Sequence, residues 1–136
     1  MSEKRPRLLV AALISKPDPL RMLLTRHKGH GLWHFPDGEV RKNETLFESL
    51  KRSLKADIGV VPTAIDMRVI PIDRINRDKN THILTLHIFT SLPTDAQFVQ
   101  REGIETFWLP MATGQYSPPI RLLASTAEIL CLLAGQ

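Results

Sequence analysis

Apolar positions along the 136 residues follow two periods, one of strands and one of helices. Leu8 to Ser15 is a nearly continuous apolar run, which predicts a strand buried on both faces. Lys16-Pro17-Asp18-Pro19 breaks it, because proline fixes φ and brings no N–H to a ladder, and Leu20 to Arg26 returns as a second strand. Lys28-Gly29-His30-Gly31 reads as a loop, followed by Trp33-His34-Phe35-Pro36 and a turn at Asp37-Gly38. A helix is then predicted. Thr45 and Glu48 have capping-box spacing, Gly59 is placed to end the helix, and Phe47, Leu50, Leu54 and Ile58 share one face. Glu48 and Arg52 are spaced as an i,i+4 ion pair on its outer side. Ala64 to Ile75 and Thr81 to Ser91 read as strands around a polar hairpin loop at 76–80, the second half-buried because apolar and polar residues alternate along it. Ile104 to Leu109 is a short strand. A last helix is expected to be capped by Ser117, with Pro118 in its first turn, and to run to about Ala134. The order predicts an α/β fold, a sheet sandwiched by helices.

With 43% hydrophobic and 24% charged residues the composition is that of a folded domain, and the length fits a single domain over residues 1–136. The net charge of +4 suits phosphate-bearing ligands and ordinary soluble domains alike. A nucleic-acid role rests only on that charge and the Lys4/Arg5/Arg7 cluster, and ranks third among the readings. Cys131 is the one cysteine, which excludes an intrachain disulfide; its apolar neighbours predict a buried, inert thiol. Neither a signal peptide nor a spanning helix fits the chain, so no membrane partner and a cytoplasmic location are expected.

The chemistry concentrates in residues 38–60. Positions 53, 56 and 57 are i, i+3 and i+4 on the predicted helix, so their side chains project together beside its apolar face. This segment resembles the Nudix hydrolase signature, G-x5-E-x7-R-E-U-x-E-E-x-G-U, where U is a bulky aliphatic residue. Gly38, Glu44, Arg52, Leu54, Gly59 and Val60 match at the right spacing. The lead-in Gly31-Leu32-Trp33-His34-Phe35-Pro36 and the later Phe107-Trp108-Leu109-Pro110 are similar to the family as well. The resemblance implies an α/β/α sandwich with a mixed central sheet. It also implies cleavage of a nucleoside diphosphate linked to another moiety, assisted by Mg²⁺ or Mn²⁺.

The departures from the signature define the box as degenerate. The family's three metal-binding helix glutamates map onto Ser53, Ala56 and Asp57, and only Asp57 is an acid. Asp37 stands where the family usually has glycine, and Arg41 and Asn43 replace a usual acid and a usual glycine. Two negative charges facing a dication are gone, which predicts weak metal binding and weak hydrolysis, because one well-placed electrostatic group is commonly worth ~10²–10³ in rate. The resemblance implies metal ligands at Asp57 and at Glu44, with Glu44 equally suited to holding its loop against Arg52; Asp37, a departure from the family pattern, is a further candidate ligand that could replace part of the lost charge beside Asp57. Arg52 and Glu44 are the expected catalytic residues, and Gly38, Leu54 and Gly59 the structural ones. Trp33, His34 and Glu102 are the candidates for contacting substrate.

Two readings of function follow. One is a Nudix-type pyrophosphohydrolase of impaired activity, and the other is a Nudix-fold module that binds a nucleotide or a protein without turnover. The apolar Leu122–Leu133 stretch packs on the domain and also offers a surface for a homodimer.

Overall fold

The computed structural model describes residues 6–17, 19–28, 31–99, 101, 103–111 and 120–134. The opening apolar run forms β1 (Arg7–Leu13), followed by β2 (Ser15–Lys16), β3 (Arg21–His27) and β4 (Asp37–Glu39). Helix α1 (Leu46–Ile58) precedes the long hairpin of β5 (Ala64–Asn76) and β6 (Thr81–Ser91), and β7 (Ile104–Pro110) and α2 (Ala124–Ala134) complete the order. One sheet is mixed, with strand order β4-β1-β6-β5; the other is antiparallel, with order β2-β3-β7. β1 runs parallel to β6 and antiparallel to β4.

The alternation of side chains along β1 divides the interior in two. Val10, Ala12 and Ile14 pack with Leu50, Leu54 and Ile58 of α1. Ala11 and Leu13 point the other way, into a cluster with Ile129 and Leu130 of α2. A strand covered on both faces needs apolar residues at every position, which is why Val10 to Leu13 are all buried. Burying each of Leu50, Leu54 and Ile58 contributes about 1.5–3 kcal/mol.

Both ends of α1 are closed as their residue types predict. The Thr45 hydroxyl accepts from the Glu48 N–H at 3.1 Å, and the Glu48 carboxylate accepts from the Thr45 N–H at 3.0 Å. Gly59 ends the helix at φ 72°, in the left-handed region.

Several expectations are corrected. Asp37-Gly38 is strand rather than turn, because β4 pairs with β1 at Ala11↔Asp37 and Val10↔Gly38. Phe47 is only half-buried, with the Lys51 ammonium over its ring. Glu48 is committed to the cap, so Arg52 pairs with Glu44 instead. Strand β6 is covered on both faces, with Thr85 and His87 buried as well as Ile88. The last helix begins at Ala124, because the 121–123 backbone bonds to Trp33: Trp33 N–H donates to Arg121 O and Leu123 N–H to Trp33 O, each at 2.9 Å. The expected cap at Ser117 and Pro118 lies outside the described residues. Cys131 is exposed, because α2 buries Ile129 and Leu130 and turns position 131 outward. Among the described residues no helix is long and apolar enough to cross a membrane.

Strand β4 lies directly under α1. A Cβ placed on Gly38 would sit 1.7 Å from Ser53 Oγ and 2.6 Å from Ser53 Cβ. Gly38→Ala is therefore expected to cost about 1–3 kcal/mol, read as a lowered midpoint in urea, as overpacking does elsewhere. Adding Ser53→Ala should leave most of that loss, because the clash with the Cβ of residue 53 remains.

Candidate active site between strand β4 and helix α1

The loop leaving β4 is tied to the helix through one carboxylate. Glu44 accepts from Arg52 Nε at 2.9 Å, Arg52 Nη2 at 3.0 Å, Ser49 Oγ at 2.9 Å and the Arg41 N–H at 3.0 Å. Arg52 also donates to Glu39 O at 2.7 Å, so its guanidinium spans helix, loop and strand end. The fork geometry of Arg fixes direction as well as distance. These bonds hold the Glu44 carboxyl at a pKa of about 2, with Arg52 the largest cause. Asn43 adopts φ 66° in this loop, where glycine is usual in the resembling family; asparagine tolerates the left-handed region and keeps the turn.

Because Gly38 faces α1, its neighbour Asp37 faces the opposite side of the sheet, at the edge strand. The Asp37 carboxylate lies 3.6 Å from His34 Nδ1, which also contacts Phe35 O at 2.7 Å. Burial raises the pKa of Asp37 most; His34 lowers it, Asp57 raises it further, and His27 and Arg7 lower it. Burial also raises Asp57 on α1, with His27, His34 and Arg52 acting against it. Two partly desolvated acids thus face two histidines, whose rings stand 6.4 Å apart.

Asp37, His34 and Phe35 also line a cavity whose floor is the sheet face of β1, β6 and β5 and whose rim is the start of α2. Asp37 therefore joins the acid on α1 to a cavity on the other face of the sheet, and this was not legible from the chain. The buried polar residues Thr85 and His87, alternating within an apolar strand, were the available signal.

The remaining candidates separate clearly. Ser53 is 5% exposed, and its Oγ has no hydrogen-bond partner among the described residues. Ala56 is exposed, and Leu54 is buried in the α1 cluster. Gly59 approaches Val99 so closely that a Cβ would lie 2.6 Å from Val99 Cγ2. Trp33 is 7% exposed, with Phe107 against its ring at 5.8 Å and the Arg26 guanidinium over it at 4.6 Å. Glu102 lies outside the described residues.

The profile of the NUDIX domain matches residues 5–131, and the chain belongs to that family. It is similar to an RNA pyrophosphohydrolase of Halorhodospira halophila, at 38% identity over 53 residues. That segment is 39% of this chain and spans only 29% of the relative. Among solved structures, it superposes on a MutT/nudix family protein from Enterococcus faecalis with a TM-score of 0.74 and 21% identity, covering 96% of this chain and 61% of that one. The NUDIX domain of Shewanella oneidensis NrtR, solved with ADP ribose, gives 0.72 and 21%, covering 97% and 88%. At these identities the structural likeness establishes the fold, which is α/β with a mixed sheet and two helices.

The family uses divalent cations, and the donor set can be tested against one. No group of three or more His, Cys, Asp or Glu side chains converges on a ready-made cage among the described residues. Asp37 and Asp57 do offer two hard oxygen donors whose mutual repulsion a dication would relieve. Mg²⁺ is commonly held by one or two carboxylates together with substrate phosphates and water, so the residues fit a cation that arrives with its ligand.

The two kinds of acid carry opposite pH signatures. Glu44 is depressed in the fold, so its stabilisation is complete above the ordinary carboxylate pKa and lost as pH falls toward 2. Glu44→Gln should lower the melting temperature at pH 7, by an amount that shrinks with acidification. Asp37 is raised, so its ionised form is a net cost above the raised pKa. Asp37→Asn should raise the melting temperature at pH 7, and that gain should vanish as pH falls through the carboxylate range.

Proposed function

We propose that this chain is a Nudix-type hydrolase of nucleoside diphosphates linked to a second moiety, working slowly because two helix carboxylates are replaced. The observation that carries the reading is Asp37, which lines the sheet-floored cavity and feels the charge of Asp57 on α1. Two adjacent acids with raised pKa values are poised to bind a cation, and the cavity beside Asp37 can take the body of a ligand. The pyrophosphohydrolase named above and the ADP ribose complex support a phosphoanhydride or diphosphate ligand.

In this reading Asp37 and Asp57 would hold Mg²⁺ or Mn²⁺ jointly with the ligand's phosphates. The cation, when bound, neutralises phosphate charge and favours attack of water on phosphorus. The chain's own residues do the rest. Arg52 and Glu44 act as positioning residues, locking the loop so that Asp37 and Asp57 keep their separation. His34 and His27 attract the anionic ligand and set the charge balance of the acids. The proton lost by the attacking water passes to the departing phosphate or to solvent, because both acids are engaged with the cation. One P–O bond forms and the anhydride P–O bond breaks, releasing a nucleotide and the phosphorylated remainder.

The second reading, a nucleotide- or protein-binding module without turnover, is favoured by one observation: Ala56 is exposed, where the family carries a ligand carboxylate. Binding would then use the same cavity. A cytoplasmic location and a single domain over 1–136 belong to both readings. So does a homodimer formed through the apolar surface of α2, where Leu132 is 52% exposed.

Ser53→Glu with Ala56→Glu should raise Mg²⁺-dependent release of nucleoside monophosphate from ADP ribose or a capped dinucleotide by at least about tenfold, read by chromatography of the products. A double variant that folds, binds Mg²⁺ and is no faster would exclude the missing carboxylates as the cause of slow turnover.

A further inference from the structure

The pairing register draws a straight line across the mixed sheet. Asp37 on β4 lies beside Ala11 on β1, Ala11 beside His87 on β6, and His87 beside Ile70 on β5. Neighbouring residues in such a row share a face, so Asp37 and His87 look into the same cavity from two strand spacings apart, about 10 Å. Between them stands only the methyl group of Ala11, and the next row contributes Thr85. The space exists because the middle of the row carries almost no side chain.

His87 is 1% exposed, and the Phe35 ring meets it edge-on at 5.8 Å. Its Nδ1 lies 3.0 Å from the Ile70 carbonyl oxygen. A carbonyl can only accept, so the proton sits on Nδ1. Burial lowers the imidazole pKa, with the Ile70 carbonyl and Glu128 acting against it, so the ring is neutral. Nε2 then carries a lone pair. It has no hydrogen-bond partner among the described residues, and it is not one of the fully enclosed unpaired atoms there. An acceptor on the floor of a largely buried cavity is costly to leave unmet and selective when a ligand meets it.

We propose that His87 is a specificity-determining residue: its Nε2 accepts a hydrogen bond from an N–H of the ligand's heterocycle, selecting nucleotides whose base edge carries such a donor. The inference rests on the diphosphate lying at Asp37 and Asp57, which puts the base across Ala11 at His87. His87 lies on β6, outside the signature helix, so the helix anchors the diphosphate through Asp57 while the sheet selects the base.

The test is calorimetric titration of the full chain, in Mg²⁺, with the 5′-diphosphates of adenosine, guanosine, inosine and purine riboside. The last has no N–H on its base. In the wild type at least one of the first three should bind about tenfold or more tightly than the purine riboside compound. In His87→Phe that gap should close, while His87→Gln, which restores an acceptor oxygen, should keep part of it. Should His87→Phe fail to fold, the wild type still decides the matter: the His87 Nε2 nitrogen resonance must move when the tightest ligand is added, and an unmoved resonance overturns the proposal. A gap that persists in folded His87→Phe also overturns it. If all four ligands then weaken together in Asp57→Asn, the diphosphate reading stands without His87. Failure of every nucleotide to bind the wild type overturns both.

Discussion

Strand β4 and helix α1 approach so closely at Gly38 and Ser53 that no Cβ fits between them, and the rest of the site takes its position from that contact. A strand alternates its side chains, so pressing Gly38 against the helix obliges Asp37 to face away from it, into the cavity on the far side of the sheet. Asp57, one turn beyond Ser53, is left at the helix edge, where its charge reaches Asp37. A larger residue at 38 would lift the helix and separate the two acids.

The contact is maintained by polar bonds around its margin. Glu44 satisfies its carboxylate entirely within the protein, on Arg52, Ser49 and Arg41, and Arg52 reaches the strand end at Glu39. In surface-exposed surroundings such bonds contribute modestly to stability. Their value lies in geometry, since the planar guanidinium admits one arrangement of helix, loop and strand. Asn43 supplies the left-handed residue that turns this loop.

Chemistry and scaffold have thus diverged in different degrees. Gly38, Glu44, Arg52, Leu54 and Gly59 retain their structural duties, whereas Ser53 and Ala56 place no charge beside the acid pair. Asp37 supplies a carboxylate from the strand side, and in the proposed reading it takes up part of the role of the absent helix carboxylates. The acids of the proposed site are thus split between α1 and β4, with the cavity on the far side of β4. The nucleotide reading gains from this arrangement, because Asp37 adjoins the space for a ligand.

Much of this was legible in the chain itself. Local rules fixed the ends of α1, where Thr45, Glu48 and Gly59 act on backbone groups only a few residues away, and the apolar run of β1 stated that both its faces are covered. The family and the box residues were readable from spacing. Tertiary structure decided what depends on partners far away in sequence. Asp37-Gly38 became strand because β1 offered a ladder, Arg52 chose Glu44 over Glu48, α2 began at Ala124 because Trp33 bonds the preceding backbone, and Cys131 turned outward. The row Asp37–Ala11–His87–Ile70 joins four strands, and no local pattern encodes it. Propensity and capping are energies of neighbours along the chain, whereas a cavity is a property of register between strands, set only when the whole sheet assembles.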